Sequence, residues 1–379
     1  MADDVTRQFL AGVRAFARGT VMPQAAGWSK GSGPDAAVFA AAADAGLMRI
    51  EIPVASGGLG LGFRAKVESC AILAAADFGL AMALVNTHNV AKRIGQSAPP
   101  ELAHSVLPDL LAGKASACTA LTEPGAGSDA AAMLCMAEKC DGGWLLNGEK
   151  IWIVNARHAR HTIVYAQTGQ PGHGAGIAAF LVDLTGSECT TFAIDSGISQ
   201  TSIGTGGFRL TRCFVSDARL LLPAGTAFKA ILEEINGARI YVAAMCCAMV
   251  SSALRIAQAY GEARQTFGKP LALHASWREK LAGCATSLAA GWSLVDAAIA
   301  ATERADDVRH LAAAAKVNAV GLAQRDLPIL LQAMGAEGLR ETYPFTRHIG
   351  ATQLAALTDG STAMLLDRLG RWDPTHIEL

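Results

Sequence analysis

Three short segments put ligand-gripping or reactive side chains where chemistry needs them. The first is Thr122-Glu123-Pro124-Gly125-Ala126-Gly127-Ser128-Asp129. Gly125 and Gly127 let backbone amides approach a planar ligand closely, and Thr122 and Ser128 add hydroxyls that can bond its polar edge or its phosphates. The second is Arg264-Gln265-Thr266-Phe267-Gly268-Lys269-Pro270, at the end of a long apolar helical pattern. A guanidinium there can fork onto two pyrophosphate oxygens, and an arginine at a helix end also interacts well with the helix dipole. The third is Leu357-Thr358-Asp359-Gly360-Ser361-Thr362, a carboxylate in an Asp-Gly turn after a helix. A further charge, Arg239, stands alone in the apolar run Ile235 to Val250, so it is either functional or half of a structural ion pair. Ser-His-Asp, P-loop and HExxH patterns are absent.

The elements that must position these residues fall into three blocks. From Val5 to about Leu111 the pattern is helical: Phe9, Val13, Phe16 and Val21 recur at helix spacing, followed by the Ala-rich stretches Ala36 to Ala45 and Ala71 to Val85. Gly57-Gly58-Leu59-Gly60-Leu61-Gly62 interrupts it as a loop, not as a dinucleotide fingerprint, because no strand pattern precedes it and the glycines do not fall as GxGxxG. From about Ala115 to Pro223 short β-type runs take over, including Trp144-Leu145-Leu146, Ile151-Trp152-Ile153-Val154, Thr162 to Tyr165 and Ala178 to Val182. Long helical patterns then return over Phe228 to Ala263, Ser276 to Ala301 and Arg309 to Met334. The expected domains are therefore an all-α segment 1–115, a β domain 116–222 and a helical domain 223–379. Strands do not alternate with helices, which disfavours a doubly wound α/β fold.

With 379 residues, 51% apolar and only 17% charged, the chain can bury a large cofactor and is expected to cover part of its surface with other copies of itself. The net charge of -1 and the lack of Lys or Arg runs argue against nucleic acid or an anionic membrane as partner. The start lacks the basic and apolar regions of a secretory signal, and the uncharged stretch Ile240 to Leu254 reads as a buried helix. Nine cysteines without paired CxxC spacing indicate neither a disulfide framework nor a zinc site, and free thiols in a cytoplasmic protein are the simplest expectation.

Taken together, Thr122 to Asp129 and Arg264 to Pro270 resemble the acyl-CoA dehydrogenase family. Asn147-Gly148-Glu149-Lys150-Ile151-Trp152-Ile153 is similar to its NGxKxWITN strand, and Gln332-Ala333-Met334-Gly335-Ala336-Glu337-Gly338 to its QxxGGxG stretch. The resemblance implies a mainly α protein with a central β-barrel-like domain, a C-terminal four-helix bundle and assembly as a dimer or tetramer. It implies FAD held by Leu121, Thr122, Gly127, Ser128, Trp152, Val154 and Ser361, with Arg264, Thr266, Phe267, Gln332 and Gly335 reaching the FAD of a neighbouring subunit. Trp152 would pack over the flavin. Ser128, Arg239, Ala238, Gly360 and Thr87, the last next to His88 on a helix lining the acyl pocket in relatives, would face an acyl thioester carried on CoA or an acyl carrier protein. Electrons would pass to an electron-transferring flavoprotein.

Departures cluster near the chemistry. Val154 stands where the family has a Thr, Ala336 replaces a glycine, and Gly350-Ala351 replaces an Arg-Asp pair. Some members place their catalytic Glu just before the Arg239 position; Ala238 excludes that here. The family's Tyr-Glu-Gly-Thr becomes Thr358-Asp359-Gly360-Ser361, which leaves Asp359 as the base. Its shorter side chain draws the carboxylate back by roughly 1.5 Å, and misplacement on the order of 1 Å can cost about a hundredfold in rate. Nitroalkane oxidases, which resemble this family, use an aspartate at the equivalent place but carry an arginine seven residues on, where this chain has Leu366. A flavin oxidase or monooxygenase, or a flavin-bearing scaffold without turnover, are the alternatives to the dehydrogenase.

Overall fold

The computed structural model describes residues 2–29, 31, 33–170, 172–194, 198 and 201–371. Helices α1 (Ala2–Phe16), α2 (Met22–Trp28), α3 (Ala36–Asp44), α4 (Phe63–Ala74), α5 (Phe78–Ser97) and α6 (Pro100–Leu111) come first. Strands β1 (Ser116–Ala120), β2 (Met136–Cys140), β3 (Gly143–Ile153), β4 (Ala159–Gln167), β5 (Ile177–Asp183), β6 (Cys189–Ala193), β7 (Gly206–Ser216) and β8 (Leu220–Leu222) follow. Then come α7 (Ala227–Ala263), a hairpin of β9 (Gln265–Thr266) and β10 (Lys269–Pro270), and helices α8 (Ala275–Glu303), α9 (Arg309–Ala333), α10 (Phe345–Leu357) and α11 (Thr362–Leu369). Two compact units result, Met1–Ser69 with Gly79–Glu233 and Cys70–Phe78 with Glu234–Leu379, so the sheet and the N-terminal helices, apart from the end of α4 and the first residue of α5, fall in one unit.

In the first unit, the apolar spacing explains a local deformation. Phe9, Val13 and Phe16 keep helix period, whereas Val21 comes five residues later. Ala17–Val21 is a π-helical turn that absorbs the extra residue and keeps Val21 fully buried. The Ala-rich stretch Ala71 to Val85 spans two helices: α4 stops at Ala74, and the Ala76 and Asp77 amides turn back to the Leu73 carbonyl. Aspartate is a poor helix-interior residue and a good one at helix starts. Just beyond it, a Cβ on Gly79 would stand 2.2 Å from Ser202 Oγ, so only glycine allows that approach.

The sheet has eight strands in the order β6-β7-β3-β2-β4-β5-β8, with β1 pairing β4 in parallel. The runs around Trp144 and Trp152, expected as separate strands, are one long strand, β3. Its buried side meets Phe180, Phe208, Leu210 and Val182 in a single apolar cluster. Near its end β3 bulges: Lys150 pairs with Phe208 but Ile153 with Gly206, which leaves one extra residue on β3.

The second unit is the helical bundle. Ala312, Ala315, Ala319 and Ala323 are buried along α9, and a Cβ on Gly291 of α8 would come 2.6 Å from Leu322 Cδ2 of α9 and 3.0 Å from Cys247 Sγ of α7. Small residues thus let three helices approach closely. By length and composition α7 could cross a bilayer, but 78% of its apolar window is buried within the protein.

Candidate active site

The glycine loop is anchored from beneath by a buried ion pair. Lys150 of β3 has no exposed surface; its Nζ donates to Glu123 Oε1 at 2.8 Å and to the Leu121 carbonyl at 3.0 Å. Glu123 also accepts from the Leu134 amide at 2.6 Å and the Cys135 amide at 3.0 Å, so both carboxylate oxygens are engaged. Glu123 and Ala126 exchange backbone bonds of 3.0 and 3.2 Å, and the Ile151 amide bonds the Thr122 carbonyl at 3.1 Å. Nothing lies within 4 Å of where a Cβ would stand on Gly125 or Gly127, and Gly127 and Ser128 are exposed. Leu121 and Thr122 are half-buried. The loop therefore has a fixed underside and an open backbone face. Neither Glu123 nor Lys150 was assigned a role from sequence; the signal was an isolated lysine inside the β pattern with an acid on the loop it supports.

Trp152 sits in the β3 bulge with φ 59° and is 55% exposed. A left-handed tryptophan is strained, so the bulge holds an indole outward at a cost in backbone energy. Val154 is half-buried beside it. Asn155, also left-handed at φ 68°, turns inward. Its Nδ2 donates to Ser116 Oγ at 2.7 Å, the Ala117 carbonyl at 2.8 Å and Thr87 Oγ1 at 3.1 Å.

That network engages Thr87, which the resemblance placed on the acyl side. Its side chain is fully buried, and its hydroxyl accepts from the Ala117 amide at 3.1 Å, so it braces α5 against β1. His88 is committed too: its Nε2 lies 3.3 Å from Glu51 Oε2 and its Nδ1 3.4 Å from the Met48 carbonyl. Glu51 also binds Lys66 and, at 2.8 Å, Lys92. Burial raises the Glu51 carboxyl, but the His88 hydrogen bond and the two ammonium groups outweigh it and hold it well below the carboxylate range. Sequence reading could not see which way this face of α5 points.

In the second unit, Trp277 gathers two of the expected segments at one end of the bundle. Its ring would be struck by a Cβ on Gly261, three residues before Arg264, and its Nε1 donates to the Ala333 carbonyl, next to Gln332, at 2.9 Å. Arg264, Gln332 and Gly335 are exposed there. Phe267 is 98% exposed at the tip of the β9–β10 hairpin, held at φ 49° beside Gly268 at φ 76°. Thr266 Oγ1 lies 3.1 Å from His274 Nε2, which ties the hairpin to the start of α8. An aromatic ring so exposed beside an arginine suits a surface that another molecule covers.

Asp359 lies at the other end of α9. It has φ 55° and Gly360 φ 95°, so the chain makes two left-handed steps between α10 and α11. Arg239, buried in α7, donates from Nε to the Asp359 carbonyl at 3.0 Å and from Nη1 to Asn236 Oδ1 at 2.7 Å. Lys316, buried in α9, donates to the Thr358 carbonyl and, at 2.6 Å, to the Gly360 carbonyl. Asp359 Oδ2 is buried without a hydrogen-bond partner. Burial pushes this carboxyl above its ordinary 3.8, with Lys316 and Arg239 opposing. Ser361 caps α11, its Oγ accepting from the Met364 amide at 3.3 Å. Ala238 is buried and carries no functional group. Leu366 is 53% exposed.

Helices, then a sheet carrying a glycine loop, then a helical bundle carrying Asp359 follow the order found in a class of oxidoreductases acting on CH–CH bonds. Residues 3–114, 118–213 and 225–372 match the N-terminal, middle and C-terminal domains of acyl-CoA dehydrogenase, and the chain belongs to that family. It is 25% identical to isovaleryl-CoA dehydrogenase of Oryza sativa subsp. japonica, over 97% of this chain and 91% of that one. The structure of butyryl-CoA dehydrogenase from Megasphaera elsdenii superposes with a TM-score of 0.91 at 27% identity, covering 97% of both chains. That of a glutaryl-CoA dehydrogenase from Mycobacterium smegmatis in complex with FADH2 gives 0.90 at 25% identity, covering 97% of this chain and 93% of that one.

Proposed function

We propose that the protein catalyses the FAD-dependent α,β-dehydrogenation of an acyl thioester, with Asp359 as the base. The observation that carries this reading is the Asp359 carboxylate, whose Oδ2 is solvent-excluded and unpartnered beside two buried cations. A carboxylate with one oxygen kept out of water and its pKa raised is suited to accept a weakly acidic α-proton. The residues present fit the cofactor: the open backbone face at Gly125 and Gly127, the hydroxyls of Thr122 and Ser128, and the outward indole of Trp152 offer what a flavin and its phosphates need. FAD, when bound, supplies the acceptor for the β-hydride. Arg264, Thr266, Phe267, Gln332 and Gly335 would serve a second copy of the chain. Gln332 and Lys316 are sixteen residues apart on α9, so their ends of the helix are separated by about 24 Å along its axis, which supports their belonging to different sites. Arg239, Gly360 and Ser128 remain candidates for the thioester side, with the chain assembled as a homo-oligomer and an electron-transferring flavoprotein as acceptor.

The test is anaerobic mixing of the FAD-loaded protein with a panel of acyl-CoA and acyl-carrier-protein thioesters, following the flavin's visible absorbance. Bleaching with one chain class is expected. No bleaching with any thioester, together with oxygen consumption on nitroalkanes or amines, would replace the dehydrogenase by an oxidase.

A further inference from the structure

Three successive carbonyls around Asp359 are each held by a buried cation: those of Thr358 and Gly360 by Lys316, and that of Asp359 itself by Arg239. The hydrogen bonds these cations donate to the loop go to backbone, so they shape it without quenching the carboxylate. In a trans peptide the C=O and N–H point in opposite directions. Drawing the Thr358 carbonyl to Lys316 therefore turns the Asp359 N–H away from α9. One ammonium thus sets the backbone on both sides of a residue in a left-handed conformation that only a minority of non-glycine residues adopt.

We propose that Lys316 is a positioning residue for the reaction: it clamps the peptide groups flanking Asp359, which fixes the reach of the carboxylate and presents the Asp359 N–H as a donor to the thioester oxygen. This rests on the dehydrogenase reading above. The clamp offers one way in which an aspartate does the work of a longer carboxylate, since the position of its backbone is held and not left to the turn. The groups facing Lys316 are Asp359 of the loop and Arg239 and Cys246 of α7, while Arg368 of α11 faces Arg239. Burial lowers the Lys316 ammonium to about 8, opposed by Asp359, so the clamp weakens when the amine loses its proton in mild alkali.

Two measurements test this separately from turnover and through it. Amide hydrogen exchange of residues 357–364 in the wild-type protein, corrected for the intrinsic pH dependence, is expected to lose protection by about tenfold one unit above the Lys316 pKa, while the interior of α9 keeps its protection. Lys316→Met should lose that protection already at pH 7, and its flavin reduction by thioester should slow by about a hundredfold with substrate affinity within about threefold. Lys316→Arg, charged at every accessible pH, should restore protection and remove the alkaline decline in reduction rate. Unchanged protection in wild type across this range, or an alkaline decline that survives in Lys316→Arg, overturns the proposal. If no thioester bleaches even the wild type, the dehydrogenase reading fails, and with it the catalytic purpose of the clamp, whatever the exchange shows.

Discussion

Two carboxylates, each close to a buried lysine, are held in opposite ways. At Glu123 the lysine binds the carboxylate directly, and two backbone amides take up the rest of its hydrogen-bonding capacity. At Asp359 the lysine binds the backbone on either side, and the carboxylate takes none of these hydrogen bonds, its Oδ2 buried without a partner. Fully engaged, a buried carboxylate is a joint; left without hydrogen-bond partners, it is free to act as the proposed base. The arrangement of a carboxylate and a lysine, and not their presence, separates a joint from the proposed base.

The sharpest way to break this comparison is the same carboxylate-to-amide change at both places. Asp359→Asn should lower the rate of flavin reduction by about a hundredfold to ten-thousandfold while leaving the unfolding midpoint at pH 7 unchanged or higher. The sign follows from linkage: a carboxyl whose folded pKa is raised contributes stability below its unfolded value and loses it as pH rises through the folded one, so its ionised form costs stability at neutral pH. Retained turnover in this variant would remove Asp359 from the mechanism. Glu123→Gln should do the reverse, costing about 3 to 5 kcal/mol by leaving Lys150 buried without its partner, with the loss read in chemical unfolding and in weaker retention of FAD. A Glu123→Gln protein as stable as wild type would show that the pair is no joint.

Much of the architecture was legible because hydrophobic period survives burial. Helices, sheet and bundle follow the order of the pattern, and the five-residue step from Phe16 to Val21 even marks the π-helical turn. What was not legible depends on direction. Thr87 sits on a helix of the expected kind, but only the fold shows that its face turns toward β1 and Asn155. The bulge that turns Trp152 outward is a register shift between β3 and β7, and no single strand reports its partner's register. Lys150 and Lys316 resemble ordinary surface lysines by type; for Lys316 the hint was its place directly after four alanines, Ala312 to Ala315, in a buried helix. Asp359 was singled out because its neighbours resemble a known pattern, whereas the cations that hold its backbone lie 120 and 43 residues away in sequence.

The contrast also predicts a pH profile. As the proposed base, Asp359 must be ionised, and burial moves that ionisation above its usual range, so the reduction rate should climb with pH above 3.8. Glu51, engaged by His88, Lys66 and Lys92, is shifted the other way and contributes stability that is present above its ordinary 4.5 and lost as acid protonates it. Glu51→Gln should therefore flatten the acid side of the stability curve without moving the rate profile. A single titration seen in both curves would mean that the two kinds of carboxylate are coupled.

The smallest effect discriminates most finely, because Ser361 stands between the two uses. Resemblance assigns it to FAD, yet its Oγ caps α11 by accepting from the Met364 amide, directly after the Asp359–Gly360 turn. Loss of a serine cap costs about 1 kcal/mol, within a range of about 0.5 to 2. If capping is its main role, Ser361→Ala should lower the stability of FAD-free protein by about that amount and leave FAD affinity within about twofold. If it binds the cofactor instead, the FAD-free protein should be unaffected and affinity should fall. A cap that fails next to the left-handed turn would also loosen the loop that Lys316 clamps, so the exchange of residues 357–364 should rise in Ser361→Ala, though less than in Lys316→Met.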